Sequence, residues 1–223
     1  MLSRSSNKLS LSALALGISL GLSGCTDANN TAQQANTTTA SSAQVQNEST
    51  RLADFFAATF AEDVANSPLR QSYLGIKDDY DKWDDMSDAA TDADIATLQA
   101  RLVQAKAFDR TQLTPTENIS LDIFTLDIER RLANDEFRHH TYIMHQFRAF
   151  HTLVPSFLIN IHRVSEESDA AAYIQRLHGV APMFDQVIDQ LRIREKLGVF
   201  PPKWSYDQMI QASQNVITGY PFT

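Results

Sequence analysis

Apolar side chains recur at the spacing of an α-helix along most of the sequence from residue 51 onwards. In the first such segment they follow i, i+3, i+4, i+8 and i+12 on one helical face, at Leu52, Phe55, Phe56, Phe60 and Val64. No segment shows a clear strand alternation bounded by turn residues, and only residues 141–147 and 157–164 are ambiguous. The pattern therefore predicts an all-α fold with about six to eight helices.

Capping residues and helix breakers predict where several of these helices begin and end. Three capping boxes are predicted from the spacing of Thr114 with Glu117, Thr91 with Asp94, and Ser205 with Gln208. Pro115 strengthens the first of them, because proline is well suited to the first turn of a helix. Two separate helices are predicted on either side of Gly179, the second with Pro182 in its first turn and its end at Gly198.

The helix expected after Thr114 has apolar residues on two faces. One stripe consists of Ile119, Ile123 and Leu126, and the other consists of Leu121, Phe124, Ile128 and Leu132. A helix that is apolar on two faces is expected to be buried on both. We therefore predict that this helix lies at the centre of the domain.

The start of the sequence has the features of a bacterial export signal. Arg4 and Lys8 precede an uncharged, largely apolar run over residues 9–22, which is too short to favour a permanent membrane span. The sequence LSGC at residues 22–25 resembles a lipobox, in which the cysteine is acylated and becomes the new N-terminus. We therefore predict lipidation of Cys25, and the alternative is an ordinary secreted protein with a cysteine near its cleavage site.

The segment after Cys25 consists almost wholly of Thr, Ala, Asn, Gln and Ser, with no aromatic residue before residue 51. Such a composition cannot bury enough apolar surface to offset the entropy lost on ordering. We therefore expect a flexible tether. Because two or more acyl chains anchor a protein stably, we expect a lipid anchor in the cell envelope of a Gram-negative bacterium. By resemblance to enterobacterial lipoprotein sorting rules, Thr26 rather than aspartate after the cysteine favours the outer membrane facing the periplasm.

The predicted organisation is a signal peptide at 1–24, a lipidated cysteine with a disordered linker at 25–50, and a helical domain at 51–223. Cys25 is the only cysteine, so the domain has no disulfide and depends on its core. Loss of the two basic residues of the signal changes the formal net charge from −8 to −10. This charge argues against nucleic acid as a partner, and the membrane contact is expected through the lipid.

Five of the six histidines lie within residues 139–162. Two acid–histidine pairs at i, i+4 spacing occur there, Asp135 with His139 and Glu136 with His140. Each pair offers only two metal ligands, and a surface pair near a helix end is the expected structure. The five aspartates of residues 77–85 lack the glycine and terminal glutamate of an EF-hand, so a solvated loop or helix start is expected. The residues alone predict no catalytic residue and no metal ligand.

Three ordered stretches resemble the DUF885 family, which consists of bacterial proteins of unassigned function that are often lipoproteins. They are SPLRQSYLGIKDDYDKWDD at 67–85, FRHHTY at 137–142 and VPSFLINIHRV at 154–164. Residues 51–68 resemble the opening helix of the family, so that the resemblance runs over nearly all of 51–204. It implies a mainly helical fold related to gluzincin-type zinc metallopeptidases, whose H-E-x-x-H helix lies in the carboxy-terminal half of much longer proteins.

No H-E-x-x-H occurs in this sequence, so the resemblance covers the amino-terminal half of the family alone. A catalytic zinc needs three protein ligands and an open position. The resemblance therefore implies zinc and a peptide substrate for the full-length family protein, but no cofactor in this chain. We expect the truncated amino-terminal lobe of a cell-envelope metallohydrolase that is inactive alone. The alternative is a stand-alone helical lipoprotein that binds a partner or ligand.

A lobe of this kind would face a second lobe across a cleft. The candidate cleft-facing residues are His140, His162 and Arg163, and a positive group there could hold a peptide carboxylate. A local salt bridge is the alternative role for such a group. Some apolar residues of 142–164 are also expected on an exposed patch, whereas in a complete small domain they would be core.

Overall fold

In the computed structural model of the chain, residues 32–147 and 149–218 are described, with side chains from residue 47 onwards. This part contains no β-strand, which confirms the all-α prediction. Its seven α-helices are α1 (Ala32–Ala65), α2 (Pro68–Tyr73), α3 (Asp88–Lys106), α4 (Pro115–Asn134), α5 (Phe150–Asn160), α6 (Glu167–Lys196) and α7 (Lys203–Asn215). None of these helices is both long and apolar enough to cross a membrane.

The predicted signal peptide, Cys25 and residues 26–31 lie outside the described residues. Helix α1 begins at Ala32, within the range predicted as the linker. Residues from Ser42 onwards form one compact unit. Among the side chains of α1 that the structure describes, Glu48 contacts the rest of this unit, because its carboxylate accepts a hydrogen bond of 2.7 Å from the backbone of Asp109.

The first apolar core joins α1, α3 and α4. Its buried members are Leu52, Ala105, Phe108, Leu113 and Leu121, and three phenylalanines, Phe55, Phe56 and Phe124, pack against them. Arg101 of α3 also ties α1 in place, because its buried guanidinium is 2.7 Å from Asp63 and 2.8 Å from Glu62. The apolar face predicted from Leu52 onwards therefore does pack in the core, although Phe60 on the same stripe is exposed.

The second apolar core joins α2, α5 and α6. Its buried members are Val154, Phe157, Leu158 and Met183, and the half-buried side chains around them include Leu69, Trp83, Met86, Phe150, Ile161 and Tyr173. Helix α5 also packs against α7. Residues 141–147 and 157–164, which are ambiguous in sequence, contain no strand, and the first half of the second range is the end of α5.

The prediction that α4 is central is wrong. Its Leu121 belongs to the first core and its Ile128 is also buried, but Ile119, Ile123 and Leu126 are 60%, 63% and 54% exposed. Helix α4 packs on α3, and no described element covers the second stripe. The double apolar stripe thus predicted one buried face correctly and overestimated the burial of the other.

The prediction of two helices separated at Gly179 is also wrong, since α6 runs through both Gly179 and Pro182. The glycine has a packing role: a Cβ at this position would lie 2.9 Å from Cδ1 of Trp83. The indole of Trp83 donates a hydrogen bond of 2.8 Å to the carbonyl of Arg176, one turn earlier. The predicted end is confirmed, because the helix stops at Lys196 and Gly198 has a φ of 72°.

One of the three predicted capping boxes is confirmed. Thr114 and Glu117 exchange hydrogen bonds at the start of α4. Helix α3 instead begins one turn before Thr91, with Ser87 as its N-cap. Ser205 lies inside the first turn of α7 and is buried, and its hydroxyl donates to Gln146 rather than capping the helix. In both cases a suitable spacing was present, but the helix started earlier in the chain.

Candidate functional site

Arg176 of α6 is completely buried at the centre of the second core. Its Nε donates to the carbonyl of Lys82 at 3.0 Å, and Nη2 donates to Ser72 Oγ at 2.7 Å. Nη1 is 3.0 Å from Nδ1 of His162. The guanidinium also lies over the ring of Phe157, 4.8 Å from its centroid. One side chain therefore connects α2, the loop that follows it, α5 and the residues just after α5.

No carboxylate lies among the described hydrogen-bond partners of Arg176. Burial lowers its pKa, and the negative charges of nearby Asp81 and Asp84 oppose this effect. Because the ordinary pKa of arginine is very high, the side chain stays protonated. Neutral dipoles and aromatic rings thus hold a buried positive charge, an arrangement that requires every acceptor to be well placed.

His162, one of the predicted cleft-facing residues, is buried beside Arg176. Since the guanidinium can only donate, Nδ1 accepts, and Nε2 donates to the carbonyl of Asp169 at 3.0 Å. The imidazole is stacked on Tyr80, with ring centroids 4.1 Å apart. Burial lowers the pKa of His162. In this arrangement the neutral imidazole is a part of the core and is not available to a ligand at the surface.

The aspartates of residues 77–85 hold the loop rather than a metal ion. Asp84 accepts from the backbone of Leu69 at 2.9 Å and from Ser67 Oγ, so it fixes the start of α2. Asp79 is paired with Lys82 and accepts from Gln71, and these contacts lower its pKa. Of the two expected structures, residues 77–85 form the loop, and the next helix begins only at Asp88.

The two acid–histidine pairs do not form a metal site. The carboxylate of Asp135 is 2.8 Å from the guanidinium of Arg138, not bound to His139. His140 is exposed and its ring lies edge-on to Phe137. In the part of the chain that the structure describes, no group of three or more His, Cys, Asp or Glu side chains could hold a metal ion. These residues therefore do not fit a catalytic zinc.

His139 belongs instead to a ring of four side chains at the wall of a cleft of about 670 Å³. Its Nε2 is 3.5 Å from Asp88, and its Nδ1 is 3.5 Å from Arg194. Gln190 closes the ring, because it donates to Asp88 and accepts from Arg194, both at 2.8 Å. Arg194 is 5% exposed and also binds the carbonyls of Arg138 and Thr141, so it fixes the segment that carries His139.

The cleft combines an apolar floor with this polar ring. Met86, Phe150 and Leu153 are apolar members of its lining, which also includes Tyr142, 46% exposed. Its volume lies in the range of about 300–1,000 Å³ that is usual for small-molecule sites. Most of its lining is polar or charged and includes Asp84, Asp85 and Asp88, and such a concave surface can bind and orient a ligand. Among the described contacts of its lining, the nitrogens of His139 face Asp88 and Arg194, and the hydroxyl of Thr91 donates to the carbonyl of Ser87.

Arg163 lies in a second, smaller cavity on another side of the same core. Its side chain is exposed, whereas the neighbouring His162 is not. The exposed apolar residues expected within 142–164 include Phe147, Ile159 and Val164, while Val154, Phe157 and Leu158 are core. Of the predicted cleft-facing residues, the structure thus leaves His140 and Arg163 accessible and buries His162, and it does not bring the three together.

Arg176 and Arg194 are not among the residues predicted from the sequence. Both arginines lie on the buried stripe of α6, which also contains Tyr173, Val180, Met183, Val187 and Gln190. They are separated by five full helical turns and so lie on the same face. A cation at an apolar position of a helical pattern is the signal that could have identified them.

Comparisons with known proteins agree with the resemblance noted in the sequence. A family model described as "Bacterial protein of unknown function (DUF885)" matches residues 68–223. No curated protein and no solved structure matches the chain. The matched range begins at α2 and leaves α1 outside, including the segment that resembled the opening helix of the family. Because the match covers well over half of the sequence, the chain belongs to the DUF885 family.

Proposed function

We propose that this chain is a lipid-anchored helical lobe of a cell-envelope hydrolase of the DUF885 type. In this proposal Cys25 carries the lipid, and the helical domain faces the periplasm from the outer membrane. The domain forms one wall of a substrate cleft. Zinc ligands come from an H-E-x-x-H segment, which this sequence does not contain, so the lobe alone is inactive.

One observation carries the proposal. Every residue that lines the 670 Å³ cleft, from Leu69 to Arg194, falls within the range that matches the family. The segments that resemble the family at 67–85 and 137–142 both contribute residues to this lining. The buried arginines of α6 hold these segments through their backbone carbonyls, and such contacts fix loops in position.

The cleft is suited to hold an extended peptide rather than to cleave it. Phe150 and Leu153 offer an apolar surface for side chains, and Tyr142 and His139 offer polar groups at its edge. In a hydrolase, positioning groups of this kind lower the entropy cost of reaching the transition state. The resemblance to zinc metallopeptidases supports a peptide as substrate. The negative net charge of the chain argues against a role in nucleic-acid binding.

The test is a reconstitution of hydrolysis. The full chain is mixed with a separately expressed carboxy-terminal half of a family member that carries H-E-x-x-H, and zinc-dependent cleavage of a peptide library is measured. We expect at least tenfold more cleavage from the mixture than from either part alone. Tyr142→Ala should lower this activity, whereas Tyr206→Ala, a change at a similarly exposed tyrosine on α7 outside the cleft, should not. Cleavage that is unaffected by the chain would contradict the proposal.

A stand-alone helical lipoprotein that binds a partner is the second candidate. The exposed stripe of Ile119, Ile123 and Leu126 on α4 favours it, since three large apolar side chains on one helix face are a typical contact surface. This function would be supported if the chain alone bound a protein partner through that stripe and Ile123→Ser abolished the binding. Reconstituted hydrolysis would then be absent.

A further inference from the structure

A cavity of about 430 Å³ lies between the turn after α2 and the end of α5. Its lining includes two cations, Lys77 and Arg163, and no carboxylate. Four other cavities of the described chain each have at least one carboxylate in their lining. In a chain with a formal net charge of −8, a cavity of this composition differs from its surroundings and favours an anionic ligand.

Arg163 is held at its backbone and free at its side chain. Its N–H donates to the hydroxyl of Tyr80 at 2.7 Å, and the same hydroxyl donates to its carbonyl at 3.1 Å. Tyr80 is 7% exposed and stacked on His162, so this anchor belongs to the core. Among the described residues, the guanidinium of Arg163 has no hydrogen bond or ion pair. The backbone of Arg163 is therefore fixed, while its guanidinium donors remain available to a ligand.

Lys77 contributes less charge to the cavity than Arg163 does. Its ammonium is 2.7 Å and 2.9 Å from the two carboxylate oxygens of Asp169, and 3.6 Å from Glu166. These contacts raise the pKa of Lys77 and balance its charge. Arg163 is thus the cation whose charge is left unbalanced, and a guanidinium binds a carboxylate with two parallel hydrogen bonds.

The rest of the lining is partly apolar. Tyr73 and Leu74 are 63% and 51% exposed, and Ile161 is half-buried beside them. Asn160 adds an amide at the end of α5. The cavity is large enough for a single amino-acid residue or an acid of similar size.

We propose that this cavity binds a small organic carboxylate, with Arg163 holding the carboxylate and Tyr73, Leu74 and Ile161 contacting its apolar part. The carboxylate can belong to the C-terminus of a peptide or to a free acid, and both present the same group to the guanidinium. This binding does not depend on the hydrolase role, because it needs no second lobe and no metal ion.

Isothermal titration calorimetry on the full chain tests the proposal with four probes. N-acetylphenylalanine represents a peptide C-terminus, 3-phenylpropanoate represents a free acid, N-acetylphenylalaninamide lacks the charge, and inorganic phosphate lacks the apolar part. We expect at least one of the two acids to bind with a Kd of about 0.1–1 mM. The amide and phosphate should bind at least tenfold more weakly. The better of the two acids identifies the source of the carboxylate.

Arg163→Ala should weaken binding of the acid at least tenfold, and Arg163→Lys should restore it only in part, because an ammonium lacks the planar fork. Arg192→Ala provides the matched control, since Arg192 is exposed on α6 and outside the cavity. Unfolding curves of the variants should coincide with that of the original chain. Equal binding of acid and amide, equal binding of phosphate, or unchanged binding by a folded Arg163→Ala variant would overturn the proposal.

Discussion

Arg176 and His162 are joined by a hydrogen bond of 3.0 Å between Nη1 and Nδ1, and both side chains are buried. The histidine accepts from the arginine and donates to the carbonyl of Asp169, so only one neutral tautomer satisfies both bonds. The pair connects residues that are distant in sequence, from Ser72 in α2 to Asp169 in α6. The positions of the segments at 67–85 and 154–164, which resemble the family, therefore depend on the buried guanidinium of Arg176 and the neutral imidazole of His162.

Replacement of Arg176 by leucine should destabilise the domain by about 3 kcal/mol or more, because the change leaves several buried acceptors without a donor. These acceptors include the carbonyl of Lys82 and Nδ1 of His162. Urea unfolding followed by circular dichroism measures the loss. Arg192→Leu, at an exposed position of the same helix, should change stability by less than about 0.5 kcal/mol. Equal midpoints for the two variants would show that the buried network contributes little.

Gly179→Ala should destabilise the domain by about 1–3 kcal/mol despite the higher helix propensity of alanine. The added Cβ would lie 2.9 Å from Trp83, whose indole is held by its hydrogen bond to Arg176. In a Trp83→Leu background the same change should cost much less, which a double-mutant cycle would detect as a coupling energy. Additive effects of the two changes would exclude the clash as the cause.

The stability of the domain should decrease as the pH falls below about 6.5. Burial lowers the pKa of His162 and of His151, so the unfolded chain takes up protons in a range where the folded chain does not. The slope should reach up to about 1.4 kcal/mol per pH unit for each histidine between its folded and unfolded pKa. Urea midpoints at pH 5, 6 and 7.5 measure it.

The matched control for this prediction is His178→Gln, at an exposed histidine on α6. His162→Gln should flatten the pH dependence relative to this control while lowering stability at pH 7.5. A pH dependence that is the same in both variants would assign the proton uptake to other groups.

Cys25→Ser should abolish lipidation and leave the protein either uncleaved or soluble, because the thiol is the attachment point in a lipobox. Membrane fractionation of a Gram-negative host and the intact mass of the product measure the outcome. The original chain should fractionate with membranes, with the added mass of acyl chains. A Cys25→Ser variant that remains with membranes at the processed size would contradict the lipid anchor.

The helical class of the fold could be predicted from sequence because apolar spacing and caps are local signals. The capping box of Thr114 with Glu117 needs only neighbouring residues, and it is present. The prediction that a helix ends at Gly179 failed because a glycine required for contact with Trp83 cannot be distinguished in sequence from one that ends a helix. The prediction that α4 is buried on both faces failed because a second apolar stripe does not indicate whether another element covers it.

The candidate site depended on contacts that no local pattern contains. Arg176 and its acceptor at Lys82 are far apart in the chain, and their pairing follows from the packing of α6 against the loop after α2. The clustering of five histidines within residues 139–162 does not mark a site, because His162 is a core residue and His140 is exposed. Arg163 was selected from sequence as a possible cleft residue, and the structure shows that its backbone is anchored by Tyr80.

Binding between the full chain and the carboxy-terminal half of a DUF885 protein tests the central claim most directly. Sedimentation velocity over a titration of the two proteins gives the stoichiometry and the dissociation constant without any assumption about the substrate. If the chain is one lobe of a two-lobed hydrolase, a one-to-one complex with a Kd below about 10 µM is expected, as for a stable interface. The absence of a complex at concentrations of about 100 µM would contradict the lobe assignment and favour the stand-alone lipoprotein.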